Sequence, residues 1–166
     1  TVSRSRAVPK GLLRINASFG FGRKYIAPAV SDFVEKYPEI EVQLQLSDRP
    51  VNLIDQAYDV GIRIGEMPDA RIIARKIASN RRLLCAAPAY IKRHGQPSVP
   101  RDLQKQQCIV LRENDAAYGS WHLHRGKRQE SVKVRGALSS NDGETTLAWA
   151  LAGHGILLSL IHISEP

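Results

Sequence analysis

The sequence predicts an α/β chain whose first part is a βαβαβ sheet with its ligand site at the strand ends. Three observations predict it. Between Gly11 and Gly65, strand-like apolar runs alternate with an amphipathic helical stretch. A similar alternation restarts near Arg82 and marks a second unit. The chain has 166 residues, 43% apolar and 24% charged, which suffices for a sizeable core of ordinary globular composition.

The run from Leu12 to Ala17 is short and apolar apart from Arg14 and Asn16, and predicts a strand. A glycine-bearing loop, Ser18 to Gly22, follows it. Ile26, Val30, Phe33 and Tyr37 then fall on one face of a helix, with Pro28 in its first turns and Pro38 ending it. Ile40, Val42, Leu44 and Leu46 alternate with Glu41, Gln43 and Gln45, the period of a half-buried strand. Asp48 to Pro50 read as a turn and Val51, Leu53, Ile54 and Ala57 as a short helix. Val60, Ile62 and Ile64 predict the third strand, and Ile72 to Ile77 a further extended segment.

In the second unit Arg82 to Ala86 is strand-like, and Pro88 to His94 is a short helix with proline at its start and Gly95 after it. A helical turn at Asp102 and Leu103 precedes a strand from Cys108 to Leu111. Trp121 to Leu123 and Ser131 to Val134 pair across a turn at Arg125 to Lys127. Asn141, with Glu144 three residues on, caps a helix through Ala150 that Gly153 stops.

The composition narrows the function. No apolar run approaches the roughly 20 residues of a membrane span. Cys85 and Cys108 lie in separate apolar runs, so free thiols in a reducing cytoplasm are expected. The net charge of +8 invites a nucleic-acid reading, but the basic residues, Arg71, Arg75, Lys76, Arg81, Arg82, Lys92 and Arg93 among them, are scattered. A solvated basic surface, or attraction of an anionic ligand, fits that pattern better. Nucleophile-elbow, P-loop, HExxH and CxxC signatures are absent, so no enzyme and no cofactor are expected. His122 and His124 would share a strand face, but no third metal ligand accompanies them.

The stretch from Gly11 to Pro28 running into Phe33 to Pro38, the segment Tyr58 to Gly65, Pro88 to Gly95, Asn141 with Asp142, and Ala152 to Ile156 together closely resemble the effector-binding domain of the LysR-type transcriptional regulators. The resemblance covers nearly the whole chain and rests on the ordered series. It implies two Rossmann-like subdomains with a ligand cleft between them, a type 2 periplasmic-binding-protein-like fold. It also implies a bacterial, cytoplasmic regulator that senses a small-molecule effector, forms homodimers or homotetramers, and touches DNA only through an N-terminal domain outside this chain. The alternative with the same fold is a solute-binding protein for uptake of a small anionic ligand.

The expected boundaries are a linker-helix remnant at 1–10, a first subdomain at 11–82, a second at 83–157, and a tail at 158–166. Leu158 to Pro166 resembles the translation of a transposase-type sequencing-library adaptor, so the effector domain is expected to be C-terminally incomplete and the chain a fragment. On that reading the second subdomain would end on an unpaired strand.

The candidate ligand-binding residues lie where strands end and helices begin, because free N–H groups and the helix dipole there favour an anion. Ser18, Phe19, Gly20 and Phe21 occupy the first such position, and Ser47 and Asp48 close the second strand. Arg63 and Gly65 end the third, where an arginine can clamp an anion or pair with Asp59 or Asp69. Asn141 and Asp142 open the later helix, and His154 is expected to face the cleft. One serine flanked by two phenylalanines suggests an effector that is anionic and partly aromatic.

Overall fold

The structure, a computed structural model, describes residues 8–47, 53–54, 56–64, 72–79, 81–112 and 119–161. The chain divides into two compact units, Thr1–Glu66 and Met67–Pro166.

The first unit is a three-stranded parallel sheet. β1 (Gly11–Ala17) lies in the centre, with β2 (Ile40–Leu46) on one side and β3 (Val60–Ile62) on the other. Its central place buries the end of β1 on both faces: Ile15, Asn16 and Ala17 are all buried, whereas β2 alternates half-buried and exposed residues as the sequence predicts. The expected loop at Ser18 to Gly22 is instead helical from Phe19 on. α1 (Phe19–Phe21) leads directly into a π-helical segment, Gly22–Ile26, and then α2 (Ala27–Lys36).

Pro28 gives the physical reason for the π segment. It has no N–H for the α ladder and its ring crowds the preceding turn, and the wider spacing, with the Ala27 N–H bonded to the Gly22 carbonyl, accommodates it. The predicted apolar face of Ile26, Val30, Phe33 and Tyr37 is half-buried throughout. The short helix expected near Val51 to Ala57 is not formed at its described residues: Leu53, Ile54, Gln56 and Ala57 are turns, and Ala57 has a φ of 53°. Residues 73–79 have no regular structure and Ile73 is fully exposed, so the further extended segment pairs with nothing among the described residues. Residues 8–10 likewise carry no regular structure, and the rest of the expected linker remnant lies outside the described residues.

The second unit holds a four-stranded sheet in the order β4-β9-β5-β8, made of β4 (Arg81–Cys85), β5 (Cys108–Leu111), β8 (Ser139–Ser140) and β9 (Ile156–Ile161). β5 runs parallel to β8 and β9, and β4 antiparallel to β9. The hairpin β6 (Ser120–Arg125) and β7 (Arg128–Lys133) forms as expected.

Both faces of this sheet are covered, which is why its core strands are continuously apolar. Cys108, Val110 and Ile156 pack with Tyr90 of α3 (Pro88–His94), Leu103 of a 3₁₀ turn (Pro100–Lys105), and Trp121 and Val132 of the hairpin. Ile109 and Leu157 pack on the other face with Ala150 of α4 (Gly143–Leu151). The expectation of an unpaired last strand is corrected here: β9 lies inside the sheet, and Leu158 to Ile161 belong to it. Cys108 is buried and Cys85 half-buried, and both are free thiols.

Candidate functional site

The sheet order of the first unit puts β1 at a topological switch point, because the chain leaves it for β2 on one side and reaches β3 on the other. Crevices outside the carboxyl ends of strands at such points are where open α/β sheets take ligands. Here those ends are level. Ala17 is in register with Leu46 of β2 and with Ile62 of β3. The next residues in the three strands are Ser18, Ser47 and Arg63, and the Ser47 N–H donates to the Ala17 carbonyl at 2.9 Å.

Ser18 is the extended N-cap of the helical run, and its hydroxyl makes no cap hydrogen bond. The first intrahelical bond is from the Gly22 N–H to the Ser18 carbonyl, at 2.7 Å. The N–H groups of Phe19, Gly20 and Phe21 therefore precede the intrahelical ladder, as at any helix start. Gly22 brings this helix onto the sheet: a Cβ there would lie 2.3 Å from Leu46 Cδ2 and 3.3 Å from Ala17 Cβ. The two phenylalanines pair along the helix, Phe19 with Arg23 at 5.8 Å and Phe21 with Tyr25 at 5.0 Å between ring centres.

Arg63 donates through Nη2 to Asn16 Oδ1, which also accepts from Ser47 Oγ at 3.4 Å. Partial burial lowers the guanidinium's pKa from its ordinary value, and the neighbouring Tyr58 acts in the opposite direction. Asp59, one of the two ion-pair partners expected for Arg63, instead accepts from the backbone N–H of Arg14 at 2.8 Å. Asn16 is fully buried, and its Nδ2 has no hydrogen-bond partner among the described residues. An unsatisfied buried donor of this kind costs about 1–3 kcal/mol.

In the second unit Asn141 and Asp142 follow the carboxyl end of β8, beside Arg112, whose N–H donates to the Ser140 carbonyl at 2.8 Å. The helix cap is Asp142 and not Asn141. Asp142 Oδ2 accepts from the Thr145 N–H at 3.2 Å and the Thr145 hydroxyl at 2.7 Å. A carboxylate in that place already supplies the negative charge that the helix N-terminus favours.

His154 lies at the opposite edge of this sheet. It precedes β9 as Gln107 precedes β5, and the Ile156 N–H donates to the Gln107 carbonyl at 2.8 Å. It lines a recess of about 260 Å³ with Gln107, Trp149 and Leu138, so the structure does not bring it together with Asn141 and Asp142. Asp48, Gly65 and Asp69 lie outside the described residues. His122 and His124 do share the outer face of β6, with His122 Nδ1 at 2.6 Å from Ser131 Oγ, and among the described residues no group of three metal-ligating side chains occurs.

Sequence reasoning missed Asn16 and Arg112. Asn16 had a signal: it is the only uncharged polar residue in the apolar run of β1. Arg112, directly after β5, is marked only by its position.

The LysR substrate-binding domain model matches residues 6–162. The HTH-type transcriptional activator TtdR of Escherichia coli K12 is 44% identical over 158 residues, which is 95% of this chain and 51% of that protein. The HTH-type transcriptional regulator DmlR of the same organism is 43% identical over 157 residues, with the same coverage. Among solved structures, the full-length Vibrio cholerae virulence activator AphB is similar with a TM-score of 0.77 at 27% identity, over 91% of this chain and 51% of that one. CrgA of Neisseria meningitidis is similar with a TM-score of 0.75, also at 27% identity, over 90% of this chain and 50% of that one. The chain thus spans about half the length of the curated relatives it matches.

Proposed function

The chain belongs to the LysR substrate-binding domain family, and on that premise we propose that it is the small-molecule-sensing portion of a cytoplasmic LysR-type transcriptional regulator. The parent protein acts as a homodimer or homotetramer and contacts DNA through a separate N-terminal domain. The relatives' roles, activator and regulator, favour this over the solute-uptake reading.

One observation carries the ligand class. Ser18, Ser47 and Arg63 stand one residue beyond the same register line at the ends of three adjacent strands. The Arg63 guanidinium, the Ser18 hydroxyl and the N–H groups of a helix start lie at that edge, a donor set that suits a carboxylate or another small anion. The contacts of the Phe19 ring with the Arg23 guanidinium and of the Phe21 ring with Tyr25 lie within the helix and give an aromatic effector no independent support. Asn141 and Asp142 are the corresponding strand-end residues of the second unit. Effector binding acts by population shift: the state that holds the anion better is favoured by that differential affinity, and the parent's DNA binding responds.

The test is an NMR titration of the 166-residue chain with succinate, benzoate and phosphate, with succinamide and benzamide as neutral counterparts. Anions are expected to shift the N–H resonances of Phe19, Gly20 and Phe21, and Arg63→Gln to weaken binding by about tenfold or more. Equal binding of the neutral counterparts, or no effect of Arg63→Gln, would remove the anion site from this edge.

A further inference from the structure

We infer that Asn16 is a positioning residue that holds Arg63 in place through a neutral acceptor, so that this pairing leaves the guanidinium's charge to an incoming anion. This rests on the reading of the strand-end edge as the effector site. The observation behind it is a shared acceptor. One buried carboxamide oxygen, on the central strand, takes a hydrogen bond from Arg63 at the end of β3 and another from Ser47 at the end of β2. It therefore joins two of the three strand ends that form the edge.

The chemistry fixes which way the amide points. A guanidinium has no acceptor atom, so the oxygen must face Arg63 and Nδ2 must face away. That orientation leaves Nδ2 buried and without a partner among the described residues. An aspartate in the same place would keep the acceptor for both Arg63 and Ser47 and would remove the orphan donor. It would also neutralise the arginine. The native residue has the less favourable hydrogen-bond balance and the neutral charge, a combination expected where the charge is needed for something else. Among the described residues the hydrogen-bond partner of the Arg63 guanidinium is this neutral amide, and no carboxylate pairs with it. Burial disfavours that charge, and an arriving anion would relieve the penalty.

Two variants of the full 166-residue chain test it. Asn16→Asp is expected to match or exceed the wild-type melting temperature while lowering affinity for succinate and phosphate by about tenfold or more, because the site's charge is now paired internally. Asn16→Leu is expected to speed hydrogen exchange at the Arg63 Nη2–H group that donates to Asn16, a readout that needs no ligand. A merely structural role would move stability and affinity together, so wild-type anion affinity in a stable Asn16→Asp protein overturns the inference. Unchanged Arg63 exchange in Asn16→Leu does so as well. If Arg63→Gln binds the anions as the wild type does, the reading of the edge itself fails; if Arg63→Gln weakens binding and Asn16→Asp does not, only the role of Asn16 fails.

Discussion

The hydroxyl of Tyr90 accepts a hydrogen bond from the backbone N–H of Gln107 at 2.9 Å and donates to Gln106 Oε1 at 2.8 Å. It thereby ties α3 to the entry of β5 at a point where the ring is 1% exposed. Burial pushes the phenol's pKa up, which keeps the hydroxyl in the protonated form that can donate. Tyr90→Phe keeps the ring and strands the Gln107 N–H, so a loss of about 1–2 kcal/mol is expected in urea unfolding. A wild-type midpoint in Tyr90→Phe would show that water replaces the hydroxyl at no cost.

The cap of α4 gives a second prediction. Asp142→Ala removes the acceptor for the Thr145 N–H and is expected to destabilise the second unit by about 1 kcal/mol. Asp142→Asn retains an acceptor of similar capping strength and should lose much less. Equal losses in the two variants, measured by denaturant melts, would mean that the charge of Asp142 matters and its cap geometry does not.

What the sequence made legible was periodicity. The alternation of Ile40 to Leu46, the paired runs around Arg125 to Lys127 and the apolar run at Cys108 all reappear as β2, the β6–β7 hairpin and β5, because burial of one or both faces sets those patterns directly. The family resemblance made the strand-end location of Ser18, Ser47 and Arg63 legible too. Tertiary proximity stayed hidden. Nothing local marks Asn16 as the acceptor for Arg63, 47 positions away, or places His154 at the opposite edge from Asp142, since both depend on strand direction and order. The same holds for Gly136: a Cβ there would stand 1.9 Å from the Cys108 carbonyl oxygen, a backbone approach that no motif announces. At the Asn141–Asp142 pair, spacing alone favoured the wrong one of two adjacent capping residues.

Cys108 is a probe of opening. Its thiol is buried, its Sγ lies 3.6 Å from the Leu103 carbonyl, and burial pushes its pKa up to about 11. Since the thiolate is the reactive form, Cys108 is expected to resist alkylation in the native chain near pH 8 and to react only on unfolding. Cys85 is half-buried and its pKa is raised as well, so it should react slowly but before Cys108. Mass-spectrometric counting of modified thiols over time checks this, and rapid labelling of Cys108 in buffer would show that the core around it opens readily.

Asp102 gives the pH dependence. Its Oδ2 accepts from the backbone N–H groups of Ser98 at 2.9 Å and Val99 at 3.1 Å, and these two bonds lower its pKa below the ordinary 3.8. A carboxyl whose folded pKa lies below its unfolded one binds fewer protons in the folded state. Its contribution is therefore fully present above the unfolded value and is lost as pH falls through the folded one. The side chain is solvent-exposed, so the effect is small and local to the turn at Pro100–Lys105. Wild type is expected to be more stable than Asp102→Ala by a constant margin at neutral pH, and the margin should close as the pH drops below about 4. If it persists undiminished to about pH 2, the stabilisation does not come from the ionised carboxylate and the two N–H bonds are not its source.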